Sequence, residues 1–129
     1  MPTNADCSFC TVITNGVQET SERGLVAVVS DTSPVTKGHL LVMPVRHATD
    51  LFDMTEAEIG DAHRTLRELR TRLLKDDPEI AGFNVGTNCG AAAGQTVFHA
   101  HIHLIPRRTG DTPNPRGGVR GVIPENMSY

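Results

Sequence analysis

Three of the six histidines, His99, His101 and His103, fall within five positions, in the stretch QTVFHAHIHLIP over residues 95–106. Imidazole titrates near neutrality, can donate from one nitrogen while accepting at the other, and serves as metal ligand or nucleophile. In an extended strand, residues i, i+2 and i+4 share a face, each about 7 Å from the next. The alternation therefore sets three imidazoles on one face and Ala100, Ile102 and Leu104 on the other, where they can pack beneath a helix. Three uses compete for such a row: a three-histidine metal site, a catalytic row, or a solvated strand face. Burying that many imidazoles without use would be costly.

The residues before the row bear on the choice. CGAAAGQT, residues 89–96, is built of small residues that let backbone N–H groups approach an anion, and Thr96 adds a hydroxyl. A glycine-rich loop alone is a weak signal. Here it leads within three steps to an imidazole row, so a phosphate held on its amides would face a histidine. That pattern points to nucleophilic attack on phosphorus, with neighbouring imidazoles handling protons and charge.

Placing this chemistry requires a domain. A chain of 129 residues is the size of one ordinary domain, and 38% apolar with 21% charged residues suits a globular, water-facing protein. No run approaches the roughly 18 apolar residues of a membrane span, and MPTNADCSFC lacks the basic-then-apolar order of a leader, so a cytoplasmic location is the expectation. A net charge of −3 without a basic block, no tryptophan and a single tyrosine argue against a nucleic-acid face. Three cysteines, an odd number, do not make a disulfide framework, and lone Cys89 is assigned no role.

Hydrophobic patterning supplies the elements. CSFCTVIT, residues 7–14, reads as a short helix or a knuckle, and NG after it marks a turn. GLVAVVSD (24–31), GHLLVMPV (38–45), GFNVGTN (82–88) and VFHAHIHLIP (97–106) read as strands, the last stopped by Pro106. Thr55 and Glu58 form a capping box, after which Ile59, Ala62, Leu66, Leu69 and Leu73 make one apolar helix face ended by DDP at 76–78. His63 lies one step off that stripe, on a surface or dimer face. The expected fold class is α+β: an antiparallel sheet of about five strands, one long helix and one short N-terminal helix. One domain spans 1–129, with a core over about 7–111 and an extended or mobile Pro/Gly-rich tail over 112–129.

HAHIHLI resembles the signature of the histidine triad (HIT) family, His-φ-His-φ-His-φ-φ with φ apolar. CSFCTVI, SDTSPVTKGHLLVMPVRH (30–47) and FNVGTNCGAAAGQTVFHAHIHLIPRRTGD (83–111) resemble the family in the same order, so the likeness covers roughly residues 7–111. It implies nucleotidyl transfer or hydrolysis at the α-phosphate of a purine nucleotide through a nucleotidyl-histidine. His101 matches the nucleophile, His103 the histidine that contacts phosphate and helps the leaving group, and His99 the histidine that supports the network. Gln95 is grouped with them as catalytic. Asn88, Gly94, Gln95 and Thr96 match the positions holding phosphates, Asp31 the acid holding ribose hydroxyls, and His39 a supporting histidine. Alternatives for Asp31 and His39 are a turn residue and a surface histidine. The resemblance also implies a homodimer with sheets joined edge to edge.

Within the family, GQTV and IPRRTGD look more like the dinucleoside polyphosphate hydrolase branch, the fragile histidine triad and its bacterial relatives. Arg107 and Arg108 either neutralise the extra phosphates of such a substrate or are ordinary strand-end charges. A nucleoside 5′-phosphoramidate hydrolase (Hint-like) and a non-catalytic nucleotide-binding adaptor are the alternatives. Mg²⁺ accompanying a polyphosphate substrate is one metal expectation. The other is structural zinc. Cys7-x-x-Cys10 is half of a tetrahedral site, without the βαβ surroundings of a redox motif, and His47 and His99 are the candidates for the remaining ligands. Galactose-1-phosphate uridylyltransferase, a relative in the wider superfamily, binds structural zinc with a CxxC and two histidines in similar places. The alternative is two buried apolar cysteines and two hydrogen-bonded histidines.

Overall fold

A computed structural model describes residues 6–16 and 19–129. Residues 1–5, part of the stretch read for a leader, lie outside the described residues, as do 17–18. The elements are α1 (Ser8–Thr14), β1 (Glu19–Thr20), β2 (Val26–Ser30), β3 (Leu40–Pro44), α2 (Glu56–Asp76), β4 (Ile80–Gly86) and β5 (Ile102–Arg108). All strand pairs are antiparallel and the order is β1-β2-β3-β5-β4, the α+β sheet expected from the strand spacing. Strand β1 is too short to leave a periodic signal. No helix of the described residues is long and apolar enough to cross a membrane.

Helix α2 begins as its sequence dictates. The Thr55 hydroxyl accepts from the Glu58 N–H at 3.1 Å and the Glu58 carboxylate accepts from the Thr55 N–H at 2.8 Å. The apolar stripe is rotated from the expected one. Ala62 and Leu69 are buried and Leu66 and Leu73 pack on the core, but Ile59 is 38% exposed. Buried polar residues take its place. Asp61, 2% exposed, accepts from the Ser21 hydroxyl at 2.6 Å, the Leu25 N–H at 3.2 Å and Arg64 at 3.2 Å. Glu58 holds Arg46 through two oxygens at 2.9 and 3.1 Å. Buried carboxylates persist only with such partners, and Arg46, Ser21 and Leu25 all lie outside α2.

The sheet has two different faces. Val26, Val28, Val42 and Leu104, with Ala100, pack as one core with α2 residues Ala62 and Leu69, so Ala100 and Leu104 lie beneath the helix as the alternation predicts; Ile102 is only partly buried there. Ala27, Leu41 and Met43 occupy the opposite face, where Phe9 and Ile13 of α1 cover them. Leu41 is the cross-strand partner of His103, so the histidine side of β5 belongs to this second face.

Strand β5 departs from its expected limits at both ends. Residues 97–101 bend instead of extending, because the Ala100 N–H bonds the Ala48 carbonyl at 2.7 Å and the Gln95 side chain holds the Val97 carbonyl at 3.1 Å. His99 and His101 thus precede the strand, and only His103 lies in it. Pro106 does not stop β5, which runs on to Arg108. Pairing with β3 ends at Leu104, so β5 is one-sided at Pro106, where a missing N–H is tolerated. Gly38 closes the turn before β3 at φ +91°, with Pro106 Cγ only 3.3 Å from where a Cβ would stand. The tail departs from extended or mobile chain. It forms 3₁₀ turns at Gly118–Val122 and Pro124–Asn126, with Arg116 and Arg120 stacked on Tyr129 at 5.0 and 5.1 Å.

Candidate active site and metal centre

The second sheet face carries two groups of histidine rings, with the Phe9 ring against His99 of one and His101 of the other. His47 and His99 have ring centres 5.1 Å apart, His101 and His103 5.2 Å, and His103 and His39 5.1 Å. His99 is fully buried, His39 and His101 nearly so, while His103 and His47 are half-buried.

Hydrogen bonds assign the tautomers along the row. Val35 N–H donates to His39 Nδ1 at 3.0 Å, so the His39 proton sits on Nε2. That Nε2 lies 2.9 Å from His103 Nδ1 and 3.4 Å from Asp31 Oδ2. His39 therefore donates to His103 Nδ1, which leaves His103 with Nε2–H as a donor. His101 Nδ1–H donates to the His99 carbonyl at 2.8 Å, which leaves the Nε2 lone pair of His101 free to attack. His99 Nε2–H donates to the Pro44 carbonyl at 2.8 Å, which leaves its Nδ1 as a ligand atom. One face thus presents a ring nitrogen with a lone pair beside a ring N–H donor.

Two of these histidines are held neutral. Burial, then the neighbouring His101 and His39, pushes His103 below the usual histidine range, with Asp31 opposing. Burial also lowers His99, against the bond to Pro44. Burial alone would raise Glu58, but the hydrogen bonds from Arg46 and the Thr55 amide outweigh it and hold the carboxylate below its ordinary value. All three shifts are downward, so the folded state resists protonation and acid favours the unfolded chain. The histidine contribution is intact above the unfolded value of 6.5 and is lost as pH falls through the depressed folded values. The Glu58 contribution is lost below the unfolded value of 4.5. The melting temperature is expected to fall in these two stages between about pH 7.5 and about pH 4, and a flat or rising profile by calorimetry would contradict these assignments.

Cys7, Cys10, His47 and His99 form a second centre, their ligand atoms all within 4.8 Å of one another. Cys10 Sγ lies 3.2 Å from His47 Nδ1 and 3.5 Å from His99 Nδ1, and Cys7 Sγ lies 3.5 Å from His99 Nδ1. A tetrahedral zinc with bonds of about 2.3 Å to sulfur and 2.0 Å to nitrogen separates those atoms by about 3.5 Å. The donor set, its edges and the outer bond from His99 to Pro44 all fit the group. Cys7 is also the N-cap of α1, accepting the Cys10 N–H at 3.4 Å.

The loop does not leave all of its amides available to a phosphate. Gly94 N–H donates to the Ala91 carbonyl at 3.0 Å and Gln95 N–H to the Gly90 carbonyl at 3.1 Å, so the turn consumes these two donors itself. Among the described residues, the N–H and hydroxyl of exposed Thr96 carry no such bond. Gln95 is 4% exposed, with its amide on the Thr49 carbonyl, the Val97 carbonyl and the Gly90 N–H, and so fixes the loop. Asn88 is half-buried at the start of the loop. Asp31 accepts from Ser33 N–H at 2.8 Å, as the turn reading expects, and its other carboxylate oxygen lies 3.4 Å from His39 Nε2. Arg107 pairs with Asp111 and Asn84, and Arg108 with Asp77 and the Lys37 carbonyl, which is the strand-end reading of these two arginines. Sequence reasoning passed over Phe9, whose place inside CSFC between two candidate ligands was the available signal. It also passed over Thr87, whose hydroxyl holds the His101 carbonyl at 2.7 Å.

A sheet with one long helix and a row of alternate histidines beside a small-residue loop defines a histidine triad domain. Residues 15–110 match the HIT domain, and the chain belongs to the HIT family. It is 32% identical to the adenosine 5′-monophosphoramidase of Candida albicans, over 84% of this chain and 74% of that one. Its fold superposes on a HIT family protein from Bacillus anthracis with a TM-score of 0.75 at 32% identity, covering 97% of this chain and 92% of the other. A zinc-bound histidine triad family protein from Mycobacterium smegmatis gives a TM-score of 0.72 at 31% identity, covering 84% of this chain and 80% of the other.

Proposed function

We propose that the protein is a nucleotide hydrolase or nucleotidyl transferase acting at the α-phosphate of a purine nucleotide through a covalent nucleotidyl-histidine. The observation that carries this reading is the His101 imidazole, its Nδ1–H tied to a carbonyl 2.8 Å away, next to His103, whose ring proton is left on Nε2. His101 Nε2 attacks the α-phosphorus and the bond to the leaving group breaks. His103 Nε2–H hydrogen-bonds the phosphate and the departing atom, and Thr96 offers a further donor. Water then attacks the same phosphorus, releasing the nucleoside monophosphate and restoring His101. Asp31 is the residue proposed for the ribose hydroxyls, with Asn88, Gly94 and Gln95 shaping the phosphate side.

The substrate class proposed from the sequence is a dinucleoside polyphosphate, whose phosphates would bring their own Mg²⁺. A second reading, a nucleoside phosphoramidate, is favoured by one observation: Arg107 and Arg108 are already ion-paired and offer little to extra phosphates. The similarity to the Candida monophosphoramidase supports it too. Incubation with diadenosine tetraphosphate and, separately, with adenosine phosphoramidate tests both. Release of AMP from either supports transfer at the α-phosphate, and the faster substrate identifies the leaving group. Cleavage of neither would leave a nucleotide-binding adaptor.

The Cys7–Cys10–His47–His99 set would hold a structural zinc, whose contribution is to tie α1 to the sheet. A homodimer fits the open outer edge of β4, seven residues long, beside exposed His63 of α2. Sedimentation is expected to give twice the chain mass, and a monomer at micromolar concentration would discard this pairing.

A further inference from the structure

We propose that α1 couples the cysteine–histidine centre to the nucleophile, with Phe9 as a positioning residue for the His101 ring. This rests on the reading of His101 as nucleophile, and it assigns that site a form of regulation.

Besides the His103 ring and the Thr87 hydroxyl on its carbonyl, His101 has two orienting contacts that pass through the metal centre. One is the bond from His101 Nδ1–H to the His99 carbonyl at 2.8 Å; the His99 imidazole is itself a candidate ligand. The other is Phe9, whose ring meets His101 edge-to-face with centres 5.0 Å apart and planes at 84°, and meets His99 at 6.0 Å and 78°. The hydrogen bond sets the tautomer and the direction of Nδ1. The phenyl ring, together with the His103 ring at 5.2 Å, limits the tilt of the imidazole about that bond.

Phe9 stands between Cys7 and Cys10 in sequence, and its position is the position of α1. That helix has seven residues, too few to persist without tertiary anchors. Its described anchors are the cysteine–histidine centre and the packing of Phe9 and Ile13 on Ala27, Leu41 and Met43. Loss of the metal would remove the first anchor, loosen α1 and release the His101 ring from Phe9. A nucleophile displaced by about 1 Å loses about 100-fold in rate, so the centre governs turnover without touching substrate.

The test follows the His101 ring directly. Protein labelled with ¹³C at histidine Cε1 gives one signal per imidazole, and His101→Asn identifies the one from His101. In zinc-loaded Phe9→Ala that signal is expected to move while zinc stays near one per chain. Removing zinc from the wild type should move or broaden it, and re-addition should restore it. Phe9→Ala should lower kcat about 10- to 100-fold with KM within about twofold, and Phe9→Tyr should recover most of the loss. Three results would overturn the proposal: a His101 signal unmoved in Phe9→Ala, a wild type that binds no zinc, or a raised KM at unchanged kcat, which would make Phe9 a substrate contact. Should zinc removal unfold the chain, zinc-loaded Phe9→Ala decides. The spectra need no substrate, so a protein that cleaves neither nucleotide counts against the α-phosphate reading and leaves this test intact.

Discussion

Replacing His101 with asparagine is expected to lower kcat by about four orders of magnitude on whichever nucleotide the wild type cleaves. The substitution is chosen for what it keeps. An asparagine amide reaches roughly as far as Nδ1 and can still donate to the His99 carbonyl, so the local bend between residues 97 and 101 retains its bond. What disappears is Nε2, the atom that would form the bond to phosphorus. Wild-type protein quenched in acetone during turnover should carry one labelled nucleotidyl group on His101, and the variant none. A variant that turns over as fast as the wild type would remove the covalent step from the mechanism. His103→Asn should cost less, about 100-fold, because it removes a donor and leaves the nucleophile in place.

The second large effect is expected at the metal centre. Cys10→Ser should abolish zinc binding and lower the melting temperature by about 10 °C, corresponding to about 3 kcal/mol for a domain of this size. Cys10 is 2% exposed and its sulfur faces both His47 and His99. Serine keeps the volume nearly unchanged but is a poor zinc ligand, so the change isolates coordination from packing. The size of the effect follows from topology. The four candidate ligands come from the N-cap and first turn of α1, the segment after β3 and the segment before β5, up to 92 positions apart. A bond among them closes long loops and holds a helix too short to stand alone. Equal melting temperatures for variant and wild type, with no zinc in either, would restore the reading of these residues as buried cysteines and hydrogen-bonded histidines.

Much of this arrangement was legible in the sequence. The capping box at Thr55 and Glu58 is local: two side chains and two amides within four residues, present wherever the helix forms. The split between His103 and the Leu104 side of β5 follows from the period of a strand. The CxxC marked Cys7 and Cys10 as a candidate ligand pair, because two thiols at that spacing can close on one ion. The resemblance brought in the remaining site residues.

Other features depended on partners distant in sequence. The strand was expected from residue 97 because alternation alone cannot see that Ala48 takes the Ala100 N–H, or that Gln95 bends the chain back. Pro106 looked like a stop because the sequence does not say that β3 has already ended beside it. Ile59 looked like core because Arg46, which draws the Glu58 face of α2 inward, lies before the helix.

The histidine row shows the same division. Residue type and spacing determined that several imidazoles would share a face and that one could be a nucleophile. Only the tertiary structure decided which nitrogen each presents. That choice rests with the Pro44 carbonyl for His99, the His99 carbonyl for His101, and the Val35 amide acting through His39 for His103. An imidazole has two nearly equivalent tautomers in water. A hydrogen bond from a fixed backbone group makes them unequal, and such groups are placed by the fold.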